Sequence, residues 1–181
     1  METKLDKNEL WPEKLPNSFK NRVAETIDFI KPYGKIADCG ENNPMKQLIE
    51  KHFKCSIDSI DWNFNEKTNI TNKYDTILCF EVLEHVMNPL LFLEQLKKLL
   101  KKNGVIYIST PYQFPQILKA IHHYHEIPTD RLIWLFNAAN LKIVESGKLT
   151  IAGNWYNHIN GIRPIMRYFQ KTRIYKITKL F

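Results

Sequence analysis

An apolar run from Thr76 to Phe80, with the sequence TILCF, limits the folds open to this 181-residue chain more than any other feature. Apolar residues on consecutive positions are typical of a strand that is buried on both faces, as in a parallel sheet covered by helices. Further short apolar runs alternate along the chain with longer segments of helical periodicity. This alternation predicts an α/β fold with a doubly wound, mostly parallel sheet and helices on both faces.

Capping signals indicate where the helices begin. The pairs Asn43–Pro44 and Asn88–Pro89 each combine a favoured N-cap residue with a proline suited to the first helical position. Gly104 is expected to end the helix that Asn88 opens. Strands are predicted at about 35–39, 55–61, 76–80, 105–109 and 141–145, and N-caps at Ser18, Asn43, Asn88 and Thr129.

Length and composition predict a single domain. With 44% hydrophobic residues the chain can bury a substantial core. The predicted core covers residues 35–146, with a polar segment at 1–17 and a basic extension at 147–181. No signal-peptide pattern and no long apolar stretch is present, and the cysteines lack disulfide or zinc spacing, so a cytoplasmic protein is expected.

The net charge of +7 comes from the C-terminal region. No acidic residue follows Glu145, whereas seven lysines and arginines do. Between Ile162 and Lys171, helical spacing separates apolar from basic positions, which would suit peripheral contact with an anionic membrane. A solvated basic surface is the alternative interpretation. Nucleic acid is a less expected partner, because no stacking motif of the RNA-binding folds is present.

The turns after the predicted strands hold the candidate binding residues, because ligands of doubly wound sheets bind at the carboxyl ends of the strands. In the first turn, IADCGENNP, Gly40 allows the backbone to approach a ligand closely. Asp61 follows the second strand, 23 residues after Asp38, in the range where an acid accepts hydrogen bonds from a ribose diol. A solvated acid at a strand end is the alternative for Asp61.

The segment from Tyr74 to Tyr112 resembles the central part of Rossmann-like S-adenosylmethionine-dependent methyltransferases, in particular the small-molecule group that includes ubiquinone-biosynthesis O-methyltransferases. The resemblance rests on an aspartate before the strand, FEVLEHV after it, a capped helix and the strand sequence GVIYISTP. The segment from His122 to Ser146 is similar to the one that follows in the same family. The resemblance implies a seven-stranded type of sheet, S-adenosylmethionine as cofactor, and a small-molecule, glycan or lipid-linked methyl acceptor.

Carried over position by position, the resemblance also implies roles for individual residues. The first turn would surround the methionine part of the cofactor, the acid after the second strand would bind the ribose hydroxyls, and the end of the fourth strand of the family would line the pocket. The cofactor-binding residues expected on this basis are Asp38, Gly40, Glu41, Asn42, Asp61, Phe80 and Glu81.

Two departures from the family pattern bear on this expectation. Where the family reads D-x-G-x-G-x-G, this chain keeps Asp38 and only the first glycine, Gly40. In addition, only 13 residues separate Asp61 from Asp75, too few for the usual helix and strand, so the third strand is expected to be short or merged. A methyltransferase-fold scaffold without turnover is therefore an alternative. A nicotinamide-dependent enzyme ranks lower because G-x-G-x-x-G is absent.

Histidines are the candidate bases for a hydroxyl acceptor, because their ordinary pKa lies near neutrality. His125 is the first candidate and His85 the second, although the neighbouring histidines leave a surface or packing role open. Glu81, Glu84 and His85 also have the donor types of a divalent-metal site. We prefer the interpretation that Glu84 and His85 close the turn by hydrogen bonding, and predict no metal.

Overall fold

The computed structural model describes residues 17–40, 43–111, 123–150 and 171–180. These ranges contain four helices, six strands and a single 3₁₀ turn at Leu83–His85. The helices are α1 (Asn17–Phe29), α2 (Pro44–Phe53), α3 (Pro89–Leu99) and α4 (Thr129–Ala138). The strands are β1 (Ile36–Cys39), β2 (Ile57–Ile60), β3 (Tyr74–Phe80), β4 (Leu100–Pro111), β5 (Leu141–Thr150) and β6 (Lys171–Lys179).

The strands form one six-stranded sheet in the order β2-β1-β3-β4-β6-β5. β1 to β4 pair in parallel, and β6 lies antiparallel between β4 and β5. The doubly wound α/β fold is thereby confirmed, and the described residues supply six of the strands of a seven-stranded type of sheet. The described segment 61–73 contains no strand, in agreement with the shortened third-strand region expected from the sequence.

Side-chain caps fix the start of two helices as predicted. The Asn43 side chain accepts a hydrogen bond from the Lys46 backbone N–H, and the Asn88 side chain accepts one from Leu91. The prediction for Thr129 was wrong, because Pro128 occupies the N-cap position of α4 and makes no side-chain capping bond. The helix therefore begins one residue earlier than the threonine signal indicates.

Two apolar clusters lie on opposite faces of the sheet, because both faces are covered by helices. On one face α1 and α2 pack through residues such as Val23 and Ile49 against Leu78. On the other face, α3 and α4 pack through residues such as Leu96 and Phe136. The central strand β3 is buried along most of its length, which accounts for the apolar run that first indicated the fold.

The C-terminal region belongs to the sheet beyond the core boundary predicted at residue 146. β5 continues to Thr150, and β6 buries Ile174, Tyr175 and Ile177 between its neighbours. Cations flank and interrupt these apolar residues, so by sequence alone the segment resembles a basic surface extension. The amphipathic segment 162–170 lies outside the described residues, and no helix among the described ones is long and apolar enough to span a membrane.

Candidate functional site

A cavity of about 220 Å³ opens at the carboxyl ends of β1, β3 and β4. It brings together three of the residues that the sequence singled out, Asp38, Phe80 and Glu81. Its wall is completed by residues of α1, of the start of α2 and of the strands β1, β4 and β5: Phe19, Arg22, Thr26, Cys39, Asn43, Pro44, Met45, Ser109 and Leu149. The cavity thus lies where ligands of doubly wound sheets bind.

Asp38 supplies a buried carboxyl group to this cavity. Its side chain is 5% exposed, and burial raises its pKa to about 7, although hydrogen bonding from Asn43 opposes the shift. Asn43 Nδ2 donates to Asp38 Oδ2 at 3.0 Å. The Lys46 ammonium also lowers the pKa of Asp38, while its Nζ donates to Ser59 Oγ at 2.8 Å. A partly protonated acid near neutral pH can both accept hydrogen bonds and donate one.

Gly40 forms the close turn that follows β1. Its φ of +113° is a conformation that residues with a side chain rarely adopt, and a Cβ atom built on it would meet nothing within 4 Å. Its N–H donates to the Ile60 carbonyl at 2.9 Å, which ties this turn to the end of β2. Glu41 and Asn42, which were also expected at the cofactor site, lie outside the described residues.

Asp61 lines a second, more open cavity of about 390 Å³, which is formed by the segment after β2. The structure therefore does not place Asp61 in the cavity of Asp38, but it places both next to the Gly40 turn, through the bond from Gly40 to Ile60. The segment has defined internal contacts, since Trp62 stacks on Phe92 with ring centroids 5.9 Å apart. The other lining residues are Asn63, Glu66, Lys67, Thr68, Asn69 and Ile70.

Glu81 adopts a left-handed backbone conformation, with φ at +56°. A residue with a Cβ pays a conformational cost there, so the surrounding contacts must hold it. Its N–H donates to Ser109 Oγ at 3.1 Å, and Ser109 Oγ donates in turn to Glu81 Oε1 at 2.8 Å. Arg22 Nη1 lies 3.8 Å from Glu81 Oε2. The turn after β3 is thus anchored to β4 and faces α1.

Sequence reasoning missed the contributions of Phe19, Arg22 and Ser109 to the cavity. Phe19 and Arg22 belong to α1, which was predicted as a helix but carries no motif that would indicate a role in binding. The guanidinium of Arg22 lies 5.6 Å from the centre of the Phe19 ring. Only the tertiary packing of α1 over the end of the sheet brings these side chains to the site.

Of the predicted histidines, His85 ends the 3₁₀ turn and His125 contacts it through Glu84, and neither lines the wall of either cavity. His125 Nε2 is 3.2 Å from the Met87 carbonyl, and its backbone N–H donates to the Glu84 carbonyl. The exposed ring of His85 meets that of His123 edge-on, at 4.9 Å between centroids. His123 Nδ1 in turn lies 3.1 Å from Glu126 Oε1. The structure therefore brings His85 into contact with His123, a residue to which the sequence assigned no role.

Glu84 has a different environment from the one expected. Its side chain is 1% exposed, and neither carboxyl oxygen has a hydrogen-bond partner among the described residues, so it does not close the turn. Burial, and next the carboxylate of Glu81, raise the pKa of Glu84 to about 8. The donor atoms of Glu84, His85 and His123 lie within 4.8 Å of one another, a grouping that could hold a metal ion and that excludes Glu81.

Known proteins resemble the chain at the level of sequence and of fold. The ubiquinone biosynthesis O-methyltransferase of Histophilus somni is 32% identical over 106 residues, covering 49% of this chain and 42% of that protein. The protein of the same name from Actinobacillus pleuropneumoniae is 30% identical over 102 residues, covering 47% and 43%. The chain thus spans less than half the length of these relatives.

Two solved structures share the fold at low sequence identity. One is the 1,6-didemethyltoxoflavin-N1-methyltransferase of Burkholderia thailandensis with bound 1,6-didemethyltoxoflavin and S-adenosylhomocysteine. Its TM-score is 0.60 at 12% identity, covering 92% of this chain and 80% of that one. The other is a complex of the Haloferax volcanii Trm112 methyltransferase activator with a putative methyltransferase, with a TM-score of 0.57 at 12% identity and coverage of 85% and 88%.

The family is established by the sequence itself. A profile described as a methyltransferase domain matches residues 16–146, which is more than half of the chain. The matched range begins just before α1 and ends within β5. It contains the Gly40 turn, the 3₁₀ turn, the second cavity and every lining residue of the first cavity except Leu149. The protein belongs to the methyltransferase domain family.

Proposed function

We propose that the protein transfers a methyl group from S-adenosylmethionine to a small-molecule acceptor by in-line displacement. The observation that carries this proposal is the Gly40 turn, which lies between the cavity of Asp38 and the cavity of Asp61. Family membership and the O-methyltransferase names of the relatives support the same reaction class. A cytoplasmic location, inferred from the sequence, is part of the proposal.

The described residues fit an extended cofactor that carries a charged amino acid at one end and a ribose in its middle. Asp38 offers a buried acceptor and Arg22 a cation in the first cavity, which suits the ammonium and carboxylate of the methionine part. The open space beside Gly40 allows a ligand to pass close to the backbone. Beyond it, Asp61 offers two oxygens to the ribose hydroxyls. Phe80 and Glu81 would line the site next to the reacting centre.

Methyl transfer makes modest demands on the protein, because the bound sulfonium supplies an already activated methyl group. The protein has to align the acceptor with that methyl and exclude water. Phe19 and Phe80 give the first cavity an apolar wall, and α1 forms one of its sides. The anchored backbone of Glu81 keeps the turn after β3 in one conformation, so the geometry of the site is set before the ligands bind.

A hydroxyl acceptor would also need a base. We keep His125 and His85 as the candidates, because they lie on the segments that follow β4 and β3, respectively. The two segments are joined at Glu84, whose backbone carbonyl accepts hydrogen bonds from the Tyr124 and His125 backbone N–H groups. The hydroxyl of a glycan or of a lipid-linked molecule would be deprotonated in the same way as that of a free metabolite.

We also propose that the protein makes peripheral contact with an anionic membrane. It rests on the basic, amphipathic sequence at 162–171. The test is cosedimentation with phosphatidylglycerol vesicles, comparing wild type with the Arg163→Gln/Arg167→Gln double variant. Deleting the tail would be a poor test, because a deletion through β6 removes a strand from the sheet. Equal sedimentation of the two proteins would refute the membrane contact.

A scaffold that keeps the fold without turnover is the second candidate. The loss of two glycines from the first turn and the missing third strand favour it. The deciding experiment is incubation with S-adenosylmethionine and a panel of small hydroxyl compounds, with chromatographic measurement of S-adenosylhomocysteine. Turnover that falls by about 10²-fold in His125→Asn or His85→Asn would support catalysis with a histidine base. Binding of S-adenosylmethionine without product from any acceptor would support the scaffold.

A further inference from the structure

His123 and Glu126 form a hydrogen-bonded pair on the segment between β4 and α4. His123 Nδ1 lies 3.1 Å from Glu126 Oε1, and the two side chains are 17% and 3% exposed. A carboxylate accepts hydrogen bonds and does not donate them, so it holds the proton of a neutral imidazole on Nδ1. The other ring nitrogen, Nε2, then carries a lone pair that can accept a proton. We call this pair the His123–Glu126 dyad.

The dyad is fixed against the 3₁₀ turn that follows β3. The ring of His85 meets the ring of His123 edge-on, with 4.9 Å between the centroids. The backbone N–H of Tyr124 donates to the Glu84 carbonyl at 2.8 Å, which attaches the segment of the dyad to the turn. The orientation of the His123 imidazole is therefore set by its surroundings before a ligand binds.

The Glu84 side chain is a second, independent indication of a ligand at this place. It is 1% exposed, and neither carboxyl oxygen has a hydrogen-bond partner among the described residues. One of these oxygens nevertheless lies within 4.8 Å of a ring nitrogen of His123 and of His85. A hydrogen bond spans about 2.7–3.0 Å, so a ligand oxygen between the carboxyl group and an imidazole would bond to both. Because burial raises the pKa of Glu84 to about 8, its carboxyl can donate to that oxygen near neutral pH.

The carboxyl group of Glu84 also relates the dyad to the first cavity. Burial, and next the charge of Glu81, raise the pKa of Glu84. Arg22 lowers this pKa and Glu126 raises it. Glu81 and Arg22 line the first cavity, whereas Glu126 belongs to the dyad. Because such charge effects fall off with distance, the carboxyl group lies near the wall of the cavity as well as near the dyad.

His125 is arranged differently from His123. Its Nε2 lies 3.2 Å from the Met87 carbonyl, which only accepts hydrogen bonds, so this nitrogen carries the proton. A backbone carbonyl has no net charge with which to stabilise an imidazolium, whereas the carboxylate of Glu126 has one. His123 is therefore better suited than His125 to take up a proton.

We propose that His123, oriented by Glu126, takes the proton of a hydroxyl acceptor whose oxygen is bound by Glu84. The O–H bond of the acceptor breaks as its proton moves to His123 Nε2. The electron pair of that oxygen forms the bond to the methyl carbon, and the electrons of the carbon–sulfur bond remain on sulfur. The inference rests on the proposed function for the reaction, and it replaces His125 by His123 as the first candidate for the base.

¹⁵N NMR of the histidine rings tests the dyad without requiring turnover. The full chain is measured without ligand at about pH 8, where imidazole is ordinarily neutral. His123→Asn identifies the signals of His123 by their loss. We expect the proton on Nδ1 in the wild type and on Nε2 in Glu126→Gln, because the glutamine amide can donate to Nδ1. A proton on Nε2 in the wild type, or the same tautomer in both proteins, would overturn the dyad.

Turnover tests the role of the dyad in the reaction. The acceptor used is the hydroxyl compound that yields S-adenosylhomocysteine fastest with the wild type. His123→Asn and Glu126→Gln should each lower kcat about 10²-fold while S-adenosylhomocysteine binds as before. Imidazole in the buffer should restore part of the activity of His123→Ala, which a purely structural role of the histidine would not allow. An undiminished kcat in His123→Asn, or no rescue by imidazole, would overturn the inference.

Further variants test the carboxyl group and supply the control. Glu84→Leu removes the hydrogen bond to the acceptor and should raise the acceptor KM about tenfold, whereas Glu84→Gln keeps a donor and should retain most of the binding. Glu84→Leu should melt at the same temperature or higher, because it removes an unpaired buried group. His52→Asn removes a histidine from α2 and should leave kcat unchanged. An unchanged KM in Glu84→Leu, or an equal loss of kcat in His52→Asn, would contradict the proposal.

The outcomes keep the inference separate from its premise and from a metal site. A wild type that forms no S-adenosylhomocysteine with any acceptor refutes the proposed function, whereas turnover that His123→Asn leaves intact refutes only the inference. The same donor atoms of Glu84, His85 and His123 could hold a metal ion. We expect turnover to be unchanged by EDTA. Activity that is lost in EDTA and restored by Mn²⁺ would assign these side chains to a metal and overturn the inference.

Discussion

The side chain of Asn43 joins the start of α2 to the buried carboxyl of Asp38. Its Oδ1 accepts the Lys46 backbone N–H at 2.9 Å, while its Nδ2 donates to Asp38 Oδ2 at 3.0 Å. One amide thereby caps a helix and holds the acid that faces the first cavity. A residue that looked like an ordinary N-cap in the sequence is also part of the candidate site.

Replacing Asn43 separates these two roles. Asn43→Ala removes the cap and should lower the free energy of unfolding by about 1 kcal/mol. Asn43→Ser keeps a capping oxygen and should recover most of that loss, but it does not restore the amide donor to Asp38. Urea denaturation gives the stabilities. Equal destabilisation by both variants would show that the bond to Asp38, and not the cap, is what stabilises the fold.

The buried carboxyl of Glu84 should make stability depend on pH. Its pKa is raised from 4.5 to about 8, so between these values the folded state holds a proton that the unfolded state has released. The stabilisation is complete below pH 4.5 and is lost as the pH rises through 8. Asp38, with its pKa raised to about 7, adds a slope of the same sign.

The measurement is urea denaturation of wild type and Glu84→Gln at pH 5, 6.5 and 8. The wild type should lose stability across this range, at most about 1.4 kcal/mol per pH unit for each proton. Glu84→Gln cannot titrate and should flatten the part of the profile between pH 6.5 and 8. Parallel profiles for the two proteins would refute a neutral buried Glu84.

Arg22 should contribute to cofactor binding without contributing much to stability. It lines the first cavity and its pair with Glu81 is partly solvated, which limits the value of that pair for the fold. Arg22→Gln should weaken binding of S-adenosylhomocysteine about tenfold, as expected for the loss of a charged hydrogen bond worth about 1.4 kcal/mol. Lys20→Gln, on the same helix but outside the cavity, is the control and should bind normally.

Loss of side-chain volume from β6 should destabilise the whole fold. Ile177 is fully buried between β4 and β5 positions, so Ile177→Ala should cost about 2–5 kcal/mol. Ile133 is 40% exposed on α4, and Ile133→Ala should change stability by less than about 0.5 kcal/mol. Similar small effects of both changes, measured by thermal unfolding, would contradict the central place of β6 in the sheet.

The elements that depend on local sequence signals were predicted correctly. The apolar run at Thr76–Phe80, the Asn–Pro pairs and the short interval after Asp61 led to the buried central strand, two helix starts and the shortened third-strand region. Each of these depends on a few neighbouring residues, through burial on both faces, capping geometry or chain length. These features can therefore be predicted without knowledge of the tertiary contacts.

Tertiary packing decided what the sequence left open. Residues 171–179 became an internal strand because Ile174 and Ile177 find apolar neighbours on both sides, which their basic surroundings conceal in the sequence. Arg22 reaches the first cavity only because α1 packs over the end of the sheet. The burial of Glu84 likewise depends on residues 123–126, which are far away in the chain. Only three-dimensional contacts define these features.

Titration with S-adenosylhomocysteine tests the central claim most directly, when wild type is compared with Asp61→Ala and Asp58→Ala. Asp58 is also an exposed acid. It lies on β2, with its Oδ2 3.5 Å from Lys35 Nζ, and borders neither cavity. We predict micromolar binding to wild type and Asp58→Ala, and at least a tenfold loss in Asp61→Ala. The absence of binding to wild type, or equal affinity in Asp61→Ala, would contradict the cofactor site.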